Sequence, residues 1–239
     1  MSESQAREFV ERGVMPLRGF VPRPQVAAAR EWIAAELERL RLKVNGRVDA
    51  SKVRDLPVFQ QTTRLGQMVR GAPAIDGLFT DDLRAVMDAL AGVKLAPAQP
   101  QLLLSLPHKQ EWSLRALNWH LDLKAPKDDR VLGVQAFVLI DDVKRHGGAT
   151  LALAGSHRLH HVEPGHGALH HLHRDGGFSS SPEAFLEVRT LCGVPLRIVE
   201  MSGRAGDVYL MDLRVLHTPS INAQRAVRMM ATNRYLAPR

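Results

Sequence analysis

The run Asn118-Trp119-His120-Leu121-Asp122 sets an imidazole and a carboxylate two residues apart. In a strand, residues two apart project to the same face, so His120 and Asp122 can aim at one point. His217 supplies a second imidazole from far along the chain. It follows the strand-like run Asp207-Val208-Tyr209-Leu210-Met211-Asp212, which the turn at Gly206 introduces. Two imidazoles and one carboxylate form the donor set of non-heme Fe(II) oxygenases, and they leave positions open on one side of the metal. A cosubstrate and dioxygen can then reach the same ion. A lone His-x-Asp occurs by chance in many chains, so the weight rests on its combination with His217.

Arg228 adds a different kind of signal. It stands eleven residues after His217, inside the apolar run Ala226-Val227-Arg228-Met229-Met230-Ala231. A guanidinium inside a strand is costly unless paired. A dicarboxylate such as 2-oxoglutarate is a natural partner, because the planar fork matches a carboxylate with two parallel hydrogen bonds. The alternative is an arginine on the solvent face of an edge strand.

These groups need a scaffold that brings distant segments together. From Gln101 onward the chain offers short strand-like runs: Gln101–Leu106, Ala116–Leu121, Leu132–Ile140, Thr150–Leu153, Leu196–Val199, Asp207–Leu210 and Val227–Tyr235. Turn residues separate them, among them Pro107, His146-Gly147-Gly148, Ala154-Gly155-Ser156 and Ser202-Gly203. Many short strands with such punctuation predict a sandwich or barrel. The first part reads as helices. Pro24 can open one, and Val26, Ala29, Ile33, Leu37 and Leu40 then mark a single face. Thr63 is predicted to cap a short helix through Val69, and Thr80 a second one over Thr80–Leu90, ended by Gly92. Helices first and strands after predict helices packed on one outer face. We therefore expect a single domain over residues 1–239, with a mainly helical flank at 1–95 and a β core at 96–239.

Three blocks resemble the phytanoyl-CoA dioxygenase family of 2-oxoglutarate oxygenases. They are Trp119-His120-Leu121-Asp122, Gly147-Gly148-Ala149-Thr150 through Ala154-Gly155-Ser156-His157-Arg158, and Gly206-Asp207 through His217 to Arg228. The resemblance covers about Gln101 to Tyr235. The middle block is similar to the family's Asn-Gly…Pro-Gly-Ser-His signature, with Gly147 where asparagine is common and Ala154 where proline is usual. The resemblance implies a double-stranded β-helix, or jelly-roll, core. It implies His120, Asp122 and His217 as Fe(II) ligands and Arg228 on the distal carboxylate of 2-oxoglutarate. It also places Phe137 where an aromatic often lies against the cosubstrate; plain barrel core is the alternative. Family members often carry a serine two residues after the distal histidine. Pro219 stands there, so Thr218 or Ser220 is the expected substitute. The implied reaction consumes dioxygen and 2-oxoglutarate, releases succinate and carbon dioxide, and hydroxylates a small molecule at an unactivated C–H bond.

Neighbours of these residues are read more plainly. Trp119 alternates with the ligands and should point into packing, whereas Asn118 shares the ligand face and, with Thr150, flanks the expected cavity. Ser156–His173 holds seven of the eleven histidines. It could bind a second metal, but no pair sits in a cysteine-supported zinc frame, so a loop at the cavity mouth is the better reading.

Composition narrows the rest. Apolar residues make up 45% of the 239 and charged residues 24%, as in ordinary globular chains. The single cysteine, Cys192, cannot form an internal disulfide, which fits a reducing compartment. The polar start MSESQAREFVERG has no apolar signal core, and no apolar stretch is long enough to span a membrane, so a cytoplasmic location is expected. The net charge is +7, but the basic residues are scattered and only 5% of residues are aromatic, which disfavours a single-strand nucleic-acid platform. Two rival readings remain. The tail Arg228–Arg234 echoes the Arg-x-Asn-x-Thr-x-Arg run of AlkB-type nucleic-acid demethylases, with Met230 in place of asparagine. A non-enzymatic cupin-like binding module would explain a barrel but not Asp122 together with Arg228.

Overall fold

The chain opens with a helix that its first polar residues specify. Ser2 caps α1 (Glu3–Arg12): its hydroxyl accepts from the Gln5 N–H, and the Gln5 side chain accepts from the Ser2 N–H in return. Gly13, at φ 68°, ends the helix and turns the chain straight into β1 (Val14–Leu17). Neither element is foreseen in the sequence reading. The computed structural model describes residues 2–44, 47–48, 56, 58–69, 73–109, 111–123, 130–161, 170, 172 and 177–238.

α2 (Arg23–Arg39) starts at Pro22 and Pro24 and buries Val26, Ala29, Ile33 and Leu37, the stripe its spacing predicts. A small hairpin follows, β2 (Lys43–Val44) with β3 (Arg47–Val48). Next come α3 (Val58–Met68), the short α4 (Pro73–Asp76) and α5 (Asp81–Ala91). Thr80 caps α5 by accepting from the Leu83 N–H, and Gly92 closes it. Thr63 does not cap a helix. α3 begins five residues earlier, and Thr63 lies on its exposed face.

The remaining strands are β4 (Ala96–Pro97), β5 (Gln101–Ser105), β6 (Gly133–Leu139), β7 (Thr150–Ala154), β8 (Arg189–Leu191), β9 (Val194–Glu200), β10 (Val208–Asp212), β11 (His217–Pro219) and β12 (Arg228–Leu236). One sheet runs β1-β10-β6-β12-β4, with β5 also paired to β12; a second runs β11-β7-β9-β8. Every pairing among them is antiparallel. The two sheets face each other as a jelly roll. β1 carries the larger sheet into the supposed helical flank, because Val14–Leu17 pairs with β10 from Met211 back to Val208.

Side chains alternate between two environments along the larger sheet. Val134, Ala136 and Val138 pack outward with Ile33, Leu37 and Leu83 of the helices. Phe137, Leu139 and Met230 pack inward with Ala152, Met201 and Met211. A third cluster, including Leu151, Leu153, Phe178 and Phe185, covers the outer face of the smaller sheet. Cys192 is exposed in the β8–β9 turn, where Cys192 and Gly193 both have positive φ.

The predicted strand at Ala116–Leu121 does not form. Ala116 takes φ 58°, the Arg115 N–H bonds the Ser113 hydroxyl, and only His120 makes a single bridge, to His217. The segment crosses the barrel mouth as a loop pinned at one point.

α3 lies directly against β5 at Gly66, where an added Cβ would strike the Leu102 carbonyl. Glycine is a poor helix residue, so its place here reflects that close approach. For Gly66→Ala, the clash should outweigh the ~1 kcal/mol that alanine gains in a helix. We expect a net loss of ~1–3 kcal/mol. It would be read as a lower urea midpoint at unchanged slope.

Candidate metal centre

Backbone hydrogen bonds bring the two histidines together. The His120 N–H donates to the His217 carbonyl at 3.0 Å, and the His217 N–H donates back to the His120 carbonyl at 3.1 Å. Residues opposed in such a bridge carry their side chains to the same side. Their ring centroids lie 4.4 Å apart. Asp122 follows two residues later, and one ligand atom from each of His120, Asp122 and His217 lies within 4.8 Å of the others. Among the described residues this is the one grouping able to hold a metal ion.

The tautomers suit ligation. His120 Nδ1 lies 2.9 Å from the Asn118 carbonyl and His217 Nδ1 lies 3.1 Å from the Val215 carbonyl. A carbonyl only accepts, so each Nδ1 carries the proton and Nε2 is the nitrogen that could hold a metal. Burial pushes the His217 pKa down to about 4, against an opposing pull from Asp122. At neutral pH it is therefore uncharged, the form a metal requires.

A buried turn delivers His217. The Arg214 guanidinium bonds both oxygens of Asp212, at 3.0 and 2.7 Å, and the Arg214 N–H adds a third bond to the same carboxylate. The Gly-Ser-His block braces this turn from the other side. Ser156 Oγ accepts from the Leu216 N–H at 2.9 Å, next to His217. His157 Nε2 donates to the Val10 carbonyl at 3.0 Å, and the Gly155 N–H donates to the Arg12 carbonyl. Burial pushes the His157 pKa down. Its neutral form thus belongs to the folded state, and its contribution to stability is lost as acid protonates it in the unfolded chain.

Two arginines project from β12 on the same face, six residues apart. Arg234 grips Asp122 with Nε on Oδ2 at 2.8 Å and NH2 on Oδ1 at 2.9 Å. The other Asp122 lone pairs stay free, and Oδ2 lies 3.8 Å from His217 Nε2. Arg228 is buried. Its Nε donates to the Gly148 carbonyl at 2.8 Å and its NH1 to the Leu103 carbonyl at 2.9 Å, while NH2 has no partner among the described residues. Burial pushes its pKa down to about 9, so it is still a cation at neutral pH. A buried cation with one orphaned donor fits an anionic carboxylate, and the donor set beside it fits Fe(II).

Other expectations divide. Phe137 is buried in the inner cluster with its ring edge-on to His217, centroids 6.5 Å apart. Thr218 is not brought to this side. It pairs with Leu151 on the opposite face of β11 from His217, and its hydroxyl donates to the Pro219 carbonyl. Ser220 donates to the Ala149 carbonyl. Trp119 points away from the ligands, edge-on to Phe178. Asn118 serves through its carbonyl, its side chain being exposed. Thr150 is buried on β7 opposite Pro219. Of the histidine-rich segment, His166, His171 and His173 lie outside the described residues, and His170 is exposed. Arg234 has no counterpart among the expected site residues. Its signal was the period of two from Arg228 along one strand.

The profile of a family described as Phytanoyl-CoA dioxygenase (PhyH) matches residues 9–230. No curated protein sequence matches the chain. Solved structures share its fold. AviO1 from Streptomyces viridochromogenes Tue57 is 18% identical, with a TM-score of 0.65 over 98% of this chain and 94% of that one. The epimerase SnoN, in complex with Fe3+, alpha ketoglutarate and nogalamycin RO, is 20% identical, with a TM-score of 0.60 over 98% and 82%. EctD from S. alaskensis with bound Fe is 20% identical, with a TM-score of 0.62 over 99% and 77%.

Arg234 holds a candidate ligand rather than the metal itself, and outer contacts of this kind typically govern affinity by ~10–100-fold. Arg234→Met should weaken Co2+ binding within that range, measured by calorimetric titration of the apoprotein. Wild-type affinity in the variant would mean that Asp122 keeps its pose without the guanidinium.

Proposed function

Because the chain belongs to the phytanoyl-CoA dioxygenase family, we propose that it is an Fe(II)- and 2-oxoglutarate-dependent dioxygenase that hydroxylates a small molecule at an unactivated C–H bond. The observation that carries this reading is the pairing of a compact His-Asp-His set with a buried arginine whose NH2 lacks a partner among the described residues.

His120, Asp122 and His217 would hold the iron, each imidazole through Nε2. Bound there, Fe(II) supplies dioxygen activation coupled to decarboxylation of 2-oxoglutarate to succinate and carbon dioxide. Arg228 would receive the distal carboxylate. Its other two donors are tied to the Gly148 and Leu103 carbonyls, so the guanidinium is set in place before the cosubstrate arrives. Phe137, edge-on to His217, would present an apolar wall to the cosubstrate carbons. No side chain is required to act as a general base. Arg234 would keep the Asp122 carboxylate aimed inward through its two hydrogen bonds.

A family match over most of the chain favours this reading over the nucleic-acid demethylase and over a binding module. SnoN is named an epimerase, so hydrogen abstraction without oxygen delivery is the nearest competing outcome. Product mass separates the two, since hydroxylation adds one oxygen and epimerisation adds nothing.

Iron(II)-dependent formation of succinate from 2-oxoglutarate tests the reading directly; its absence in the intact protein would end it. Arg228→Ala should weaken 2-oxoglutarate binding by ~2–4 kcal/mol, the range for truncating one partner of a buried charge pair. Iron binding should survive. Unchanged 2-oxoglutarate affinity would move the role to another arginine. The Asp122 carboxylate should occupy the position a halide would need, so product formed in chloride buffer should carry oxygen and no chlorine. A chlorinated product would mean that Asp122 is not a ligand.

A further inference from the structure

We propose that Gln135 recognises the substrate, and that the substrate presents a hydroxyl or N–H group beside the carbon that reacts. This rests on the oxygenase reading above.

Gln135 lies on β6 and is only 2% exposed. Alternation along the strand puts it on the inner face with Phe137 and Leu139. Its cross-strand partners are Met211 on β10 and Arg234 on β12. Arg234 is the residue that grips Asp122, so Gln135 borders the metal side of the barrel.

The orientation of its amide is determined. Thr232 Oγ1 donates its one hydrogen to the Ala136 carbonyl at 2.9 Å. It can therefore only accept from Gln135, whose Nε2 stands 2.9 Å away. A flipped amide would set two acceptors against each other. Oε1 is thus fixed as an acceptor, and it has no partner among the described residues. A buried acceptor without a donor is unfavourable, and such exceptions in folded chains call for an explanation.

The cosubstrate does not explain it. At neutral pH 2-oxoglutarate is a dianion whose oxygens only accept. Arg228, its expected anchor, pairs with Ser105, whereas Gln135 pairs with Arg234 six residues further along β12. The missing donor then belongs to the substrate. A polyol, amino sugar or hydroxylated amino acid would satisfy Oε1, whereas a pure hydrocarbon chain would leave it orphaned.

Gln135→Met keeps the length of the side chain and removes both polar atoms. Succinate formation is then measured with D-glucose, myo-inositol, D-glucosamine and L-serine, each beside deoxy or O-methyl analogues. In wild type, loss of the donor should lower kcat/KM at least tenfold, whereas Gln135→Met should treat the two members of a pair alike. Equal turnover of a donor-lacking analogue by wild type would overturn the inference. Iron and 2-oxoglutarate binding by wild type, measured in the same samples, tests the oxygenase reading separately.

Discussion

The reciprocal backbone bonds between His120 and His217 are the constraint on which this site depends. They join a loop without regular structure to a three-residue strand, and by doing so they convert two remote imidazoles into neighbours. Everything nearby serves that junction. The Asp212–Arg214 pair shapes the turn that leads into β11, and Ser156 holds the Leu216 N–H one residue before His217. A loop pinned at a single bridge would otherwise be free to pivot. Here Asp122, two residues past the bridge, is caught by Arg234 from the opposite sheet, so the pivot is closed from its far end.

The electrostatics follow one pattern. Among the described residues, the buried charges Asp122, Asp212 and Arg228 are each held by an opposite charge or by carbonyls. Arg234 balances Asp122, Arg214 balances Asp212, and Arg228 meets two carbonyls but keeps one donor unspent. Isolated buried ions are strongly unfavourable. An arginine left so is consistent with a site built to be completed by an anion.

Much of this was legible in the residues. Periodicity marked α2 and its buried stripe, and Thr80 with Gly92 marked α5, because capping and helical spacing are local. The apolar runs of β6, β7, β10 and β12 stood out for the same reason. The grouping of His120, Asp122 and His217 could be read from residue type alone, yet the strand assumed to align the first two is absent. Convergence comes from a long-range bridge, which leaves no local periodicity. Thr63 misled because a threonine inside a helix and one at its cap look alike in sequence. β1 was missed because four residues after a glycine carry too little pattern, and Arg234 because its partner lies 112 residues away.

β1 also bears on how the chain is made. Val14 pairs with Met211, and the first helix is tied by Arg12 and Val10 to Gly155 and His157. During synthesis the N-terminal segment emerges first but has no strand to join until β10 has left the ribosome. Its edge groups stay unpaired through most of translation, a condition that favours slow closure of the sheet and transient contacts with other chains. The polar α1 that precedes these four sheet residues keeps that waiting segment well solvated.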